Sequence, residues 1–389
     1  MGGAQGRKIR PFLAAGCLYL LSIQAAVVGS GVSRLSDGNL DFRHLYTAGC
    51  MVRLGHGHEI YDYERTKILQ KELVGPKVIT AVFNHLAFEA LLFVPFSLLS
   101  FRSAYLLWMG VNVFLLVFCF GLLQNHYGPL RSIWSPLPTV LFVSFFPFAF
   151  ALIEGQDSIV LTTLLICAIV ATKKGRDYLA GAILAAGLFK FQFILPIVGL
   201  ATVWRRWKIA LGFLAGMLFV LFASLATIGV SSVRIYLRYL LAMSSTNQQV
   251  YVQPAYIANL RGCFVGTAEP LLGHGAAQVL TIAASVVVFV WACRQKASIS
   301  VAMMTSVLVS YHCLPHDLSL LIIPLILAPY QQHFTGRAWL SAAMLFVAPG
   351  VAFAWGIPFW VVAIPMLIFL FQIRGKDTPL LPLVIGEAH

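Results

Sequence analysis

The residues of this chain most able to do chemistry are ionisable groups set beside or within long apolar stretches. They are Asp41, Glu89, Glu154, Asp157, Lys190 and the group His312, His316 and Asp317. A charge at the centre of a membrane helix costs roughly 2.5–3.5 kcal/mol on insertion scales, so such residues mark function by default. A carboxylate so placed can take a proton from a hydroxyl, and a lysine or histidine can stabilise a departing anion. Each also has a structural use. Glu89 and Asp157 can be half-solvated helix ends, Lys190 can snorkel or pair with a carboxylate, and His316 can cap the helix that begins at Asp317.

The elements that must position these groups are membrane helices. Hydrophobic residues make up 59% of the 389 positions and charged residues 11%, with a mean hydropathy of +0.85. Soluble domains carry about 25% charged residues, so too few charges remain to cover a soluble surface. Apolar runs extend from residue 11 to residue 373, many of them long enough to cross a bilayer of roughly 30 Å. The chain reads as one all-α polytopic bundle over residues 1–389, with about 11–12 membrane segments. The stretch from Pro11 to Ser30 is too long for a signal core and lacks a clear cleavage site, so it reads as a retained first span.

Two polar stretches interrupt the apolar pattern. Residues 31–85 read as a long first external loop, with Phe42, Leu45, Tyr46, Met51 and Leu54 spaced for a short helix in the interface plane. Residues 231–275 read as a second polar loop. The run Tyr178–Val203 is broken by Lys190. Two half-helices there would return Lys173-Lys174 and Arg205-Arg206 to the same side, as the positive-inside rule prefers.

The formal net charge of +13 is carried by clusters in short connections: Arg7-Lys8-Arg10, Lys173-Lys174-Arg176, Arg205-Arg206-Lys208 and Arg374-Lys376. That placement orients membrane spans and argues against a nucleic-acid partner. Seven cysteines are scattered without metal-ligand spacing; Cys50 and Cys263 lie in the two polar stretches and can pair if both are external.

Two function classes fit the ionisable set. A secondary transporter or lipid-sugar flippase would show paired charges at mid-membrane, broken helices and an internal repeat. No such repeat is evident, and a 50-residue acidic loop after the first span serves a transporter little. A membrane transferase needs a carboxylate at the membrane surface, a polar vestibule and cations for a phosphate leaving group. The residues favour the second class.

Specific blocks carry a resemblance. Asp41-Phe42-Arg43-His44-Leu45-Tyr46-Thr47-Ala48-Gly49, followed by Gly55 and Ile60-Tyr61-Asp62, resembles the first external loop of glycosyltransferase family 87. Phe93-Val94-Pro95-Phe96 with Trp108 and Asn112, Glu154-Gly155-Gln156, and Gly175-Arg176 through Lys190 and Gln192 resemble further family blocks. Pro315-His316-Asp317-Leu318 resembles its late histidine-bearing loop. Phe83-Asn84-His85 lacks the proline usual before the second span, and Phe191 stands where a proline usually follows the lysine.

The resemblance implies a GT-C membrane fold and transfer of a hexose, mannose first, from a polyprenyl-phosphate-linked donor to a glycolipid or glycan acceptor. It places the reaction on the non-cytoplasmic face of the cell membrane. Asp41 is then the general base, acting with inversion. His316, Lys190, Arg261, Arg238 and Arg234 are candidates for the donor phosphate and sugar. His44, Tyr46, Gln156 and Gln192, with Asn247, Gln248, Tyr251 and Asn259 of the second polar loop, are candidates for hydroxyl recognition. No DxD-type motif stands out, in keeping with a lipid-linked donor, no cofactor and no required metal.

Overall fold

A computed structural model describes residues 3–242, 253–332 and 334–373. The described residues form nineteen α-helices joined by short 3-10 turns, with no strand among them. Six helical stretches have the length and hydropathy of a membrane span, the bent pair Leu137–Ser144 and Phe146–Glu154 passes together, and four apolar helices are shorter. An all-α polytopic bundle is what the composition requires. Backbone polar groups in hydrocarbon must be satisfied within each segment, and helices do that.

The apolar run at residues 86–100 behaves differently from its hydropathy. It folds as the short pieces Ala87–Glu89, Ala90–Phe93 and Phe96–Leu98. Pro95 interrupts it, and the stretch packs under the helix Phe42–Arg53, where Phe93 lies in edge contact with Phe42 and Trp108. That helix is itself buried from Phe42 to Met51, packed against neighbouring segments of the protein. Tyr63–Leu73 keeps a solvent face with Lys67 and Glu64 paired on it. The first polar stretch also begins later than its composition suggests, because the first helix continues to Asp37. The second is partly helical, since Trp207–Ala242 runs into it after a kink at Gly229 (φ 73°, ψ 165°).

The run from residue 177 to 203 has the length of one crossing but is folded in two. Helix Asp177–Ala186 lies against helix Trp207–Ala242 with both running the same way: a methyl on Gly212 would sit 2.8 Å from the Tyr178 Cα, and one on Gly216 would sit 2.7 Å from the Ala185 Cβ. The small residues permit this close approach. Because the two helices are parallel, Phe191–Val203 must return between them, and Gly187–Lys190 forms the turn. Thr172, Trp204 and Arg206 accordingly line one cavity. The clusters Lys173-Lys174 and Arg205-Arg206 therefore share one end of the bundle, and Lys190 sits towards the other.

Candidate functional site

The end of the bundle opposite those basic clusters contains a cavity of about 550 Å³ lined by Asp41, His44, His85, Gln156, Lys190, Gln192, Tyr311, His312, His316 and Asp317, among others. Sequence positions almost 280 apart meet there because five chain segments converge.

Asp41 follows the first helix through Gly38, whose φ of 73° ends that helix. It occupies the N-cap position of Phe42–Arg53 but makes no capping bond with its side chain, which leaves the carboxylate free for the cavity. The Gln156 amide donates to Oδ2 at 2.9 Å, and Arg43 Nη1 lies 3.8 Å from Oδ1. The Asp41 side chain keeps 36% of its surface accessible and lines the cavity. Burial alone would raise this carboxyl; nearby positive charge, Arg43 included, and the Gln156 amide outweigh it and hold the group below its ordinary range.

The backbone at Asp41 is clamped from below. Glu154 forms an ion pair with Arg34 and accepts the Asp41 N–H at 3.4 Å, while Arg34 also donates to the Asn39 carbonyl at 3.0 Å. Gly155 then turns the chain with φ 66°, and a methyl there would lie 2.7 Å from the Phe42 Cβ. The Gly155 carbonyl accepts from Trp108 Nε1 at 2.9 Å. Glu154-Gly155-Gln156 thus sets the carboxylate's height, its neighbour and its hydrogen bond together.

One turn beyond Asp41, His44 lines the same cavity with its Nε2 buried and unpartnered. Burial, followed by the positive neighbour His85, pushes it down to about 3, so it is neutral. His316 is 4% exposed and its Nε2 lies 3.5 Å from Asp317 Oδ1.

A row of buried charges forms the cavity floor. Lys190 Nζ reaches Asp157 at 2.8 Å, Asp317 at 2.5 Å and the Ser158 hydroxyl at 2.7 Å. Asp157 continues to His85 Nδ1 at 3.1 Å, and His85 also pairs with Glu89. Burial would lower His85, but the carboxylates of Glu89 and Asp157 push it up to about 10. Burial pushes the Glu89 carboxyl up to about 8 against the pull of His85. His85 is therefore an imidazolium held by Nδ1, with its ring 12% exposed to the cavity. His85, Glu89 and Asp157 also bring ligand atoms within 4.8 Å of one another, the set most able to hold a metal among the described residues. The Lys190 ammonium and the His85 ring already balance these carboxylates, so the trio fits an ion row better than a cation cage.

Asp41, His44, Gln156, Lys190, Gln192 and His316 are thus brought together as the sequence suggests. Lys190 has its donors engaged by three partners, so it organises the floor. Tyr46 lies elsewhere: it is 4% exposed, packs on Phe101 and donates to the Leu99 carbonyl at 2.7 Å. Asn259 is fully buried, caps the helix Leu260–Thr267 and donates to the Ser310 carbonyl at 2.5 Å. Neither is among the residues that line the cavity. Arg261 stacks on Tyr311 at 4.1 Å and approaches His312 Nδ1 at 3.3 Å, behind the cavity wall. Arg238 is exposed on the outer part of Trp207–Ala242. Asn247, Gln248 and Tyr251 lie outside the described residues. Cys50 is buried and Cys263 partly so, both as free thiols.

His85 and Tyr311 are cavity residues that sequence reasoning did not select. His85 drew notice only for a missing proline beside it; its spacing of four from Glu89 was the available signal.

The model of glycosyltransferase family 87 matches residues 87–314. That range holds Gln156, Asp157, Lys190, Gln192 and His312, and stops just short of His316. No curated protein and no solved structure matches the chain. A match over more than half of a helical membrane chain, with a polar cavity at one end, places the protein: it belongs to glycosyltransferase family 87 and is a membrane glycosyltransferase.

Proposed function

We propose that the chain transfers a hexose, mannose as the first candidate, from a polyprenyl-phosphate donor to a lipid-linked or glycan acceptor, with Asp41 as general base. The observation that carries this reading is the Asp41 carboxylate, held ionised by its neighbours and open to the cavity, with Gln156 fixing one oxygen. A hydroxyl is a poor nucleophile at neutral pH. A positioned carboxylate takes its proton as the oxygen attacks the anomeric carbon. Attack on a β-linked donor breaks the C1–O bond, releases the lipid phosphate as a dianion and leaves an α-glycoside. No acid is needed on the leaving group.

The departing phosphate requires fixed donors. His316 and the imidazolium of His85 border the cavity and supply them, and Lys190 holds Asp157 and Asp317 so that both histidines keep their orientation. Neutral His44 and the Gln192 amide suit sugar or acceptor hydroxyls. The reading needs no cofactor or divalent metal, so chelators should leave turnover unchanged. Facing the cavity away from the cytoplasm follows from the basic clusters gathered at the other end, in a multi-pass cell-membrane protein.

The test is direct. Purified protein, incubated with radiolabelled polyprenyl-phosphate-mannose and a lipid extract, should form a labelled glycolipid. Asp41→Asn should lower the rate about 10²–10⁴-fold with unfolding unchanged. A near wild-type rate in Asp41→Asn would refute the assignment, and flux into sealed vesicles without product would favour transport.

A further inference from the structure

We propose that the basic end of the bundle holds a second site, which binds one phosphate-headed lipid between the helices. A cavity of about 130 Å³ lies there, well away from Asp41, between the folded-back pair, Ser158–Lys173 and the helix Ile299–Val309. Its walls are apolar, with Leu165, Ile169, Leu184, Ile197 and Met303 among them. Its polar groups come from helix ends, and two of them lack partners.

Trp204 lines the cavity with its indole N–H buried and unbonded. A buried donor without an acceptor is unfavourable, so an acceptor belongs beside it. Arg206 is half-buried on the same lining, and no carboxylate pairs with it among the described residues. The helix Trp207–Ala242 begins at the next residue, and the first N–H groups of a helix attract anions. Lys174, Arg205 and Lys208 stand exposed around this end.

An occupant must therefore present an anionic acceptor to Trp204 and Arg206 and an apolar chain to the cavity. A phospholipid with a net negative headgroup does both. Basic pockets between membrane helices on the positive side bind such headgroups. The site makes no use of Asp41 and does not depend on the transfer reaction.

Native mass spectrometry of the full chain in detergent, titrated with phosphatidylglycerol or phosphatidylcholine, tests the proposal. The first phosphatidylglycerol should bind about tenfold more tightly than the first phosphatidylcholine, a difference of about 1.4 kcal/mol. The variant Trp204→Phe/Arg206→Gln should lose that preference. Ala201→Phe, which fills the cavity without altering a charge, should lose it too. A photoreactive phosphatidylglycerol should label residues 197–209 or 297–303. Unchanged preference in both variants, with cooperative unfolding retained, would overturn the site. So would labelling confined to other segments, or a preference that appears only after removal of residues 374–389.

Discussion

The two ends of this bundle handle charge in opposite ways. Around Asp41, carboxylates and cations are buried and answer one another, from Glu89 through His85, Asp157 and Lys190 to Asp317. At the far end, Lys174, Arg205 and Lys208 are exposed on short connections, and Arg206 borders an apolar cavity without an acid. Buried charge is tolerated only when paired and hydrogen-bonded, so the first end is a constructed interior whose members cannot be exchanged singly. At the second, the exposed Lys174, Arg205 and Lys208 are solvated charges that act through their sum, by orienting the spans.

The sharpest way to break this contrast is at Lys190. Lys190→Met strands Asp157 and Asp317 without their cation, and losing one partner of a buried ion set costs about 3–5 kcal/mol. Unfolding by denaturant titration in mixed micelles should show that loss. Adding Asp157→Asn and Asp317→Asn should restore most of it, because the uncompensated charges go with the lysine. A Lys190→Met protein as stable as the wild type would mean the row contributes no structural constraint.

Gly155→Ala should come next, at roughly 2–3 kcal/mol, from a left-handed backbone and an overpacked contact. Its methyl would press on the Phe42 Cβ at 2.7 Å, next to Asp41. Transfer rate should therefore fall by more than stability explains. Equal turnover per folded molecule would show that Asp41 does not depend on this turn.

A smaller effect, set by pH, attaches to His85. Its pKa is raised from 6.5 to about 10, so the folded state binds the extra proton. The stabilisation is complete below the unfolded value of 6.5 and is lost as pH rises through about 10. Glu89, raised from 4.5 to about 8, works in the same direction: folding is disfavoured progressively as pH rises from 4.5 to 8. His85→Gln should cost about 2 kcal/mol near pH 6, and that difference should narrow towards pH 10. A constant difference across the range would mean His85 is not the proton-binding group.

How much of this was legible in the sequence depends on whether local pattern or long-range packing decided it. The helical membrane class follows from hydropathy alone, and the fold-back at Lys190 from a charge within an apolar run flanked by two basic clusters. Lys190 is readable as a charge inside an apolar run, whereas Asp41, Gln156 and His316 are read from their place beside spans and from the blocks that resemble the family. Tyr46 and Asn259 look equally suited to sugar binding, but a side chain's partner depends on which backbone carbonyl comes within reach, here those of Leu99 and Ser310. Periodicity does not encode that. The apolar run at 86–100, which folds as short pieces, illustrates a related point. Hydropathy registers burial and cannot tell lipid from the protein core beneath Phe42–Arg53.

The smallest predicted effect tests the other half of the contrast. Lys174 and Lys208 are exposed near the ends of their helices and have no carboxylate partner among the described residues. Lys174→Gln with Lys208→Gln should change unfolding free energy by no more than about 0.5 kcal/mol, as surface substitutions usually do. The same micelle titration used for Lys190→Met makes the two ends directly comparable. Should the double variant lose several kcal/mol, these two lysines would hold specific charge pairs after all, and would have to be read as constructed like the row beside Asp41. A loss within 0.5 kcal/mol leaves these lysines the role of orienting charge, which acts during membrane insertion and contributes little once the helices are packed.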